Sequence, residues 1–319
     1  MSDSIFNRSP ETARKVAEAR SQDLTEDRKN VLICDNNREV RETIAWRKDL
    51  TKDQVDRLLN DTDSFVVVTL IEYHVLTEDQ KDRIINRDAN YRVREVLVEK
   101  QKLTDAQMDA LIARSVDFTD AYVRDTIARS RHTLTEAQSY KLIGDTNPRV
   151  RQSMARRKDL TKDYIDVLVN DSDPSVRWQL ARRNDLAADH IEKLVCDESE
   201  HVREAMAEYH TLAKDQIDAL IADESPKVRQ TVAEHQNLTK TRIDRLIADE
   251  DPAVREAVAL YQPLTAAQKD ALLSDKDPNV RYALVKHRKL SENQIDRLAS
   301  DEDPHVRWVA KTKQYLRSG

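Results

Sequence analysis

Glycine is almost absent from this chain, which contains 2 Gly among 319 residues. Tight hairpin turns and loops that cradle phosphate groups both depend on glycine, because its backbone reaches positive φ without a steric cost. Lys, Arg, Leu and Ala are abundant instead, and these residues favour helices. The shortage of glycine therefore argues against β-hairpin folds and glycine-rich nucleotide sites, and it predicts an all-α protein.

Cysteine and long apolar segments are also scarce. Cys34 and Cys196 are too far apart in a stacked array to form a disulfide, so we expect both to be small packing residues. No apolar run is long enough to span a bilayer, and residues 1–8 lack the apolar core of a secretion signal. These absences predict a chain in the reducing cytoplasm. No cofactor is expected, and no metal either, because the acidic residues of the second helices are spread one per repeat instead of converging on one site.

Aromatic residues make up only 5% of the chain, whereas 39% of residues are hydrophobic and 35% are charged. This balance suits thin layers of paired helices and is too polar for a thick buried core. The formal net charge of −6 argues against a surface that is basic all over, because affinity for nucleic acid comes from neutralising phosphates. A local basic patch is still compatible with this charge.

What the chain has in abundance is repetition. The segment Asp-Ser-Asp-Pro-Ser-Val-Arg begins at Asp171, and closely similar segments begin at Asp249, Asp275 and Asp301. The pattern occurs about eleven times, most often with a period of 26 residues, which indicates a solenoid. We predict a single repeat domain over residues 9–313, with a disordered N-terminal tail at 1–8 and a C-terminal tail at 314–319.

Each repeat carries signals for two short helices. Asp173 can cap the first helix, and Pro174 fits its first position, where a missing N–H costs nothing. Val176, Leu180 and Ala181 then fall on one face at helical spacing. The second helix begins at a capping box, in which a Thr hydroxyl and a Gln side chain each accept the other residue's backbone N–H. The predicted boxes are Thr51 with Gln54, Thr77 with Gln80, Thr104 with Gln107, Thr135 with Gln138, and Thr265 with Gln268.

The pattern Asp-x-Asp-Pro-x-Val-Arg-x-x-Leu-Ala-x-Arg-x-Asp-Leu, complete in residues 171–186, resembles the leucine-rich repeat variant family and, more distantly, HEAT-like repeats. The resemblance covers nearly the whole chain and implies a right-handed α-solenoid of about eleven two-helix repeats. It implies little about chemistry. One style of leucine-rich repeat variant protein carries an N-terminal iron–sulfur module, which requires a cysteine cluster that this sequence lacks.

Two charged columns recur with the repeat. An arginine follows the apolar Val of almost every repeat, so its stem is expected to lie along the packed seam. The resemblance to HEAT-like repeats implies that this arginine pairs with a loop aspartate. We interpret the arginines as a structural ladder rather than a phosphate-binding row, and the acids of the second helix as a solvated or salt-bridged stripe. The arginines are Arg41, Arg94, Arg124, Arg151, Arg177, Arg203, Arg229, Arg255, Arg281 and Arg307; the loop aspartates include Asp145, Asp171, Asp197, Asp223, Asp249, Asp275 and Asp301; the second-helix acids include Asp56, Asp82, Asp109, Asp166, Glu192, Asp218, Asp244, Asp270 and Asp296.

Three residues at the end of the first helix vary from repeat to repeat. The architecture does not require them, and repeat proteins often contact a partner through variable positions. Basic side chains there also complement the helix dipole, which gives them a structural interpretation as well. The candidate contact residues are Trp46, Arg47, Tyr73, Tyr209 and Tyr261, together with a basic block at Arg129, Arg131, Arg156, Arg157, Lys158, Arg182 and Arg183 and its neighbour Trp178.

These features favour a non-catalytic scaffold, not an enzyme, that binds another protein. The alternative is a nucleic-acid or phosphate binder, similar in its enzymatic form to helical-repeat DNA glycosylases, since cations beside an exposed tryptophan suit either partner. Neither a membrane nor a small-molecule cofactor is expected to bind. The histidines in or beside the variable triplets lack a second ligand at zinc-like spacing; they are His74, His132, His210, His235 and His287.

Overall fold

Short helices follow one another along the whole described chain. The computed structural model describes residues 9–87, 90–114 and 118–318, so the tail predicted for residues 1–8 lies outside them. These residues form 23 helices and no strand, which confirms the all-α prediction. We call the odd-numbered helices A helices and the even-numbered ones B helices. The bounds are α1 Pro10–Ala19, α2 Glu26–Ile33, α3 Arg38–Ala45, α4 Lys52–Leu59, α5 Ser64–Tyr73, α6 Glu78–Asn86, α7 Tyr91–Lys100, α8 Asp105–Ala113, α9 Phe118–Arg129, α10 Glu136–Ile143, α11 Pro148–Ala155, α12 Lys162–Leu168, α13 Pro174–Ala181, α14 Ala188–Val195, α15 Glu200–Tyr209, α16 Lys214–Ile221, α17 Pro226–His235, α18 Lys240–Ile247, α19 Pro252–Tyr261, α20 Ala266–Leu272, α21 Pro278–His287, α22 Glu292–Leu298 and α23 Pro304–Ser318.

The helices start where the capping signals predict. Asp173 Oδ1 accepts the backbone N–H of Ser175 at 2.8 Å. At the start of the B helix α20, Thr265 Oγ1 accepts the N–H of Gln268 at 3.3 Å, and Gln268 Oε1 accepts the N–H of Thr265 at 2.9 Å. All five predicted capping boxes are present, and a sixth joins Ser291 and Gln294. Positive φ is absent from the described backbone, in keeping with the scarcity of glycine.

Eleven A–B helix pairs precede α23, and the chain divides into two compact units, Met1–Asp159 and Leu160–Gly319. Within the N-terminal unit, successive A helices from α1 to α11 pack side by side and successive B helices from α2 to α10 form a second layer. Within the C-terminal unit, the A helices from α13 to α23 and the B helices from α14 to α20 pack in the same way. This repeated two-layer packing is that of an α-solenoid; a single domain over residues 9–313 stays a prediction.

Each repeat places its apolar side chains between the two layers. In the seventh repeat Val176, Leu180, Ala181 and Leu194 are each fully buried. Burial of a Val or Leu side chain contributes roughly 1.5–3 kcal/mol. One helix pair has too few such residues to persist alone, so each repeat depends on its neighbours.

The two cysteines do not pack in this core. Cys34 and Cys196 are both exposed, with free thiols, at the ends of B helices. The Sγ atom of Cys34 accepts a hydrogen bond from Arg57 Nη2 at 2.8 Å. The expectation that both cysteines are packing residues is therefore wrong, because each follows the last residue of its B helix and faces solvent there.

The final helix is longer than the sequence suggests. Helix α23 continues to Ser318 and packs against α21 and α22. Gln314 Nε2 donates to Asp296 Oδ1 at 2.6 Å, so part of the predicted tail at 314–319 belongs to this helix. None of the helices in the described ranges combines the length and the apolar character that crossing a membrane would require.

Candidate functional site

Most of the recurring arginines form a ladder that ties successive repeats together within each unit. Arg229 Nε donates to Asp249 Oδ2 at 2.7 Å, and Arg229 Nη2 donates to Asp249 Oδ1 at 2.8 Å. Its Nη1 donates to the backbone oxygen of Asp223 at 2.8 Å. The ladder interpretation is confirmed, because the guanidinium donates hydrogen bonds to two consecutive loops. Direct Arg–Asp contacts of this ladder join Arg41 to Asp61, Arg94 to Asp120, Arg124 to Asp145, Arg177 to Asp197, Arg203 to Asp223, Arg229 to Asp249, Arg255 to Asp275 and Arg281 to Asp301.

The loop aspartates of the ladder also hold the start of the next A helix. Asp275 Oδ1 accepts the backbone N–H of Asp277 at 2.9 Å while the same carboxylate binds Arg255. Burial acts to raise the pKa of Asp275, but the hydrogen bonds from Arg255 and from the Asp277 N–H outweigh it and keep this pKa below its usual value. The carboxylate therefore stays charged and paired.

The acidic residues of the B helices form a second ladder. Gln268 Nε2, whose side chain completes a capping box, also donates to Asp244 Oδ1 at 2.7 Å in the preceding repeat. Arg242 takes the same place opposite Asp218, and His190 takes it opposite Asp166. The acidic stripe is thus largely a set of hydrogen-bonded rungs rather than a row of free carboxylates.

Most of the variable triplets fall into two structural classes; the triplet at residues 129–131 begins at the last residue of a 12-residue helix, α9, and belongs to neither. In the first class the A helix has 8 residues and an arginine lies just beyond it. Two of these three arginines reach back to the preceding repeat. Arg47 Nη1 donates to the carbonyl of Ala19 at 2.9 Å, and Arg157 Nη1 donates to that of Ala128 at 3.2 Å. Arg47, Arg157 and Arg183 also bind the aspartate two residues on, and their side chains are only 11%, 10% and 8% exposed.

These three arginines were predicted to contact a partner. In the structure each of them binds an aspartate of its own chain. Arg47 holds the pKa of Asp49 well below its usual range through their hydrogen bond, and Arg183 lowers the pKa of Asp185 in the same way. The guanidiniums are mostly buried and committed to neighbours on their own chain. We therefore leave Arg47, Arg157 and Arg183 out of the candidate surface.

In the second class the A helix has 10 residues and is followed by a His, Gln or Arg that reaches back in the same manner. His74 Nε2 lies 3.0 Å from the carbonyl oxygen of Ala45, and Gln101 Nε2 donates to that of Ile71 at 2.8 Å. Burial lowers the pKa of His74, so this imidazole is a neutral structural donor. Gln236, Gln262 and His210 contact the preceding repeat at the same position.

Other triplet residues are exposed and cluster. In the N-terminal unit the rings of Trp46 and Tyr73 have centroids 6.1 Å apart. The guanidinium of Arg20 lies 6.0 Å from the Trp46 ring centroid, and Lys48 Nζ lies 5.4 Å from that of Tyr73. The two rings are 44% and 43% exposed. Four side chains from three successive A helices therefore make one cation–aromatic cluster.

A second cluster lies in the C-terminal unit. The Arg182 guanidinium lies 4.7 Å from the Trp178 ring centroid and 5.3 Å from the Tyr209 ring centroid, so it is shared between two repeats. Trp178 also lines a pocket of about 400 Å³ with Pro174, Ser175, Ser199 and His201. This aromatic cluster, Trp178 with Arg182 and Tyr209, combines an apolar surface with a cation.

The predicted basic block has members in both units. In the N-terminal unit, Arg129, Arg131, Arg156 and Lys158 line a groove of about 530 Å³. An adjoining groove of about 570 Å³ shares Arg129 and Arg131 and adds Lys100 and Lys102. Arg182, in the C-terminal unit, belongs to the aromatic cluster. Tyr261 is exposed on α19.

Lys100, Lys102, Arg20 and His201 were not among the predicted contact residues. Arg20 could have been found, because it follows α1 at the position that Trp46 occupies one repeat later. The same alignment of triplets places Lys100 beside Arg129 and Arg131. His201 could not have been found from the sequence. It lies near the start of α15 and lines the pocket because α15 packs against α13.

One group of side chains in the described residues has atoms close enough to hold a metal ion. It consists of Asp166, Asp189 and His190. His190 Nδ1 accepts the N–H of Ala187 at 3.3 Å and its Nε2 faces Asp166 at 2.5 Å. Both ring nitrogens thus reproduce the contacts that Gln makes in other repeats, and the group is a rung of the second ladder.

Comparison with known proteins supports the fold. A solved structure described as a leucine-rich repeat variant with a novel repetitive protein structural motif is similar to this chain, with 21% sequence identity and a TM-score of 0.55. The match covers 72% of this chain and 88% of that one. It confirms the resemblance in fold, which does not carry function with it. No protein-family model and no curated protein matches the sequence.

Proposed function

We propose that this chain is a non-catalytic scaffold that binds a partner protein through residues at the C-terminal ends of its A helices. The observation that carries the proposal is the cation–aromatic cluster of each unit, Trp46 with Tyr73 in one and Trp178 with Arg182 and Tyr209 in the other. Trp178 is half-buried, and the other four side chains are exposed. Trp, Tyr and Arg are the residues most often responsible for binding energy at protein interfaces.

The surrounding scaffold explains why these residues suit binding. Trp178 and Tyr209 stand on helices that are fixed by the ladders and by the core, so little side-chain entropy would be lost on binding. The guanidinium of Arg182 lies against both rings. Neither ladder needs these side chains, and they therefore have no evident structural reason to be aromatic.

The test compares capture of partner proteins from the native host by the purified chain and by a Trp178→Ala, Arg182→Ala, Tyr209→Ala variant. A hot-spot residue contributes about 2 kcal/mol or more to binding, so losing several should abolish capture. The matched control is Trp308→Ala, because Trp308 is exposed and follows Val-Arg as Trp178 does. Unaltered capture by the triple variant, with unchanged helicity in both proteins, would remove this cluster from the proposal.

Nucleic acid is the alternative partner, and the cations of the N-terminal unit are the observation that favours it. Six or more phosphate contacts would lower affinity by about three orders of magnitude between roughly 50 and 200 mM salt. We expect a single-stranded oligonucleotide to bind weakly at low salt. Tight binding with that steep salt dependence would replace the protein-binding proposal.

A further inference from the structure

The two basic grooves of the N-terminal unit adjoin each other. The first lies between the ends of α7 and α9 and is lined by residues 98–102 and 129–132 together with Thr126. The second lies between the ends of α9 and α11 and is lined by residues 128–131, 153 and 156–159. Both are open to solvent, and they share the segment 129–131. A bound chain could therefore lie across three successive repeats.

The charge of these walls is strongly one-sided. Glu99 and Asp159 are the acidic residues among the lining side chains, and Asp159 is bound by Arg157 through two hydrogen bonds. Against a formal net charge of −6 for the whole chain, this excess of positive charge is local. The lining cations besides Arg157 are Lys100, Lys102, Arg129, Arg131, Arg156 and Lys158.

Helix C-termini usually repel anions, because their last carbonyl groups carry a partial negative charge. Here donors cover several of those carbonyls. Arg157 Nη1 donates to the carbonyls of Ala128 and Ser130 at 3.2 and 3.1 Å, and His132 Nε2 lies 3.0 Å from that of Val98. The capping contacts thus offset the negative ends of α7 and α9, so an anion meets mainly the cationic side chains.

Arg129 is held in place on the shared wall. Its Nη2 donates to Thr126 Oγ1 at 3.2 Å, and its Nε lies 3.3 Å from Asp125 Oδ2. The buried Asp125 carboxylate also accepts hydrogen bonds from Arg149 and Ser153, so its charge is divided among several donors. Arg129 remains 45% exposed and can contact a ligand without leaving this position.

We infer that these grooves bind an extended segment of the partner protein with an acidic side chain at about every third residue. Packed helices are spaced by about 8–10 Å, so cations of successive repeats recur at that interval. An extended chain advances about 3.3 Å per residue, which separates residues i and i+3 by about 10 Å. The inference rests on the proposed function and specifies what kind of partner this unit accepts.

The probe is a fluorescent 12-residue peptide with Glu at every third position and uncharged residues elsewhere, titrated at low salt with the full chain. Replacing Lys100, Arg131 and Lys158 by Ser should raise its Kd about ten-fold, the combined effect of three exposed ion pairs. The control changes Arg14, Lys52 and Lys141 to Ser; they are exposed residues of the same unit on α1, α4 and α10. This control alters net charge equally and should change Kd less than about two-fold.

Four outcomes overturn the inference. The unmodified chain does not bind the peptide, or both variants lose peptide affinity equally. The chain binds a peptide of the same composition with contiguous Glu equally well, or it binds an oligonucleotide of the same length more tightly. Capture of a partner that still depends on Trp178 and Tyr209 separates the two ideas. If capture persists while the peptide fails to bind, the acidic-segment inference is wrong and the scaffold proposal stands.

Discussion

Each arginine of the first ladder lies where two repeats meet, and its recurrence has a direct physical cause. The side chains of Arg229 and Asp249 are both 8% exposed, and two hydrogen bonds join them. A buried ion pair adds little net stability over an apolar pair of the same shape, but loss of one partner leaves a charge without compensation. The pair therefore contributes mainly to the register between repeats.

Asp249→Ala should lower the free energy of unfolding by about 3 kcal/mol, because Arg229 would remain buried without its carboxylate. The adjacent residue supplies the control. Glu250 is 90% exposed and lies 3.7 Å from Arg229, so Glu250→Ala should change the free energy of unfolding by less than about 0.5 kcal/mol. Urea titration of both variants measures the difference, and equal effects would show that the ladder is not structural.

His74 gives the chain a pH-dependent contact. Burial lowers the pKa of this imidazole below its ordinary value of about 6.5, so the unfolded chain binds the proton more readily than the folded chain. Stability from this group is therefore complete above about pH 6.5 and decreases as the pH falls toward the folded-state pKa. Gln101 makes the equivalent contact in the next repeat without titrating.

Replacing His74 by Gln should make stability less sensitive to acid. The comparison is the urea midpoint of each protein at pH 7.5 and at pH 5. We expect the unmodified chain to lose more stability than His74→Gln over this interval, because at position 74 the imidazole takes up a proton and the amide of Gln does not. Parallel losses in the two proteins would contradict the stated role of His74.

At the scale of the helices, the sequence predicts where each element starts better than where it ends. Asp173 and the Thr–Gln boxes act locally, within three residues, so the sequence displays them directly. Just beyond many A helices, a side chain contacts a carbonyl of the preceding repeat, about 29 residues earlier for His74 and Arg157. The sequence of a single repeat does not show this hydrogen bond, because its acceptor lies in another repeat. The structural role of these triplet residues could therefore not be predicted.

Caps of the same residue type should differ in their effect on stability. Thr265 accepts the N–H of Gln268 in a complete capping box, whereas the Thr239 side chain makes no capping hydrogen bond. Thr265→Ala should therefore cost about 1 kcal/mol of unfolding free energy, and Thr239→Ala less than about 0.5 kcal/mol. Both substitutions replace a β-branched residue by Ala, and only Thr265→Ala also removes a capping hydrogen bond. Equal losses of unfolding free energy in urea titration would mean that the capping box adds no stability.

At the scale of the molecule, repetition made the architecture predictable because each repeat restates the same core, caps and ladders. The candidate surface was predictable only in part. Trp178 lies beside Arg182, as a separation of four residues suggests, whereas the contact between Trp46 and Tyr73 joins two repeats. Arg47, Arg157 and Arg183 belong to the scaffold, since residue type alone does not reveal whether a guanidinium points to solvent or to a carbonyl.

The central claim is that partner proteins contact the ends of the A helices and not the B helices. A photoreactive phenylalanine analogue can replace Tyr209 on α15 or Tyr140 on α10, which are 44% and 47% exposed. Irradiation in the presence of host proteins should yield a specific crosslinked partner from position 209 and none from position 140. A crosslink from position 140 alone, or from neither position while the partner is still captured, would contradict the account.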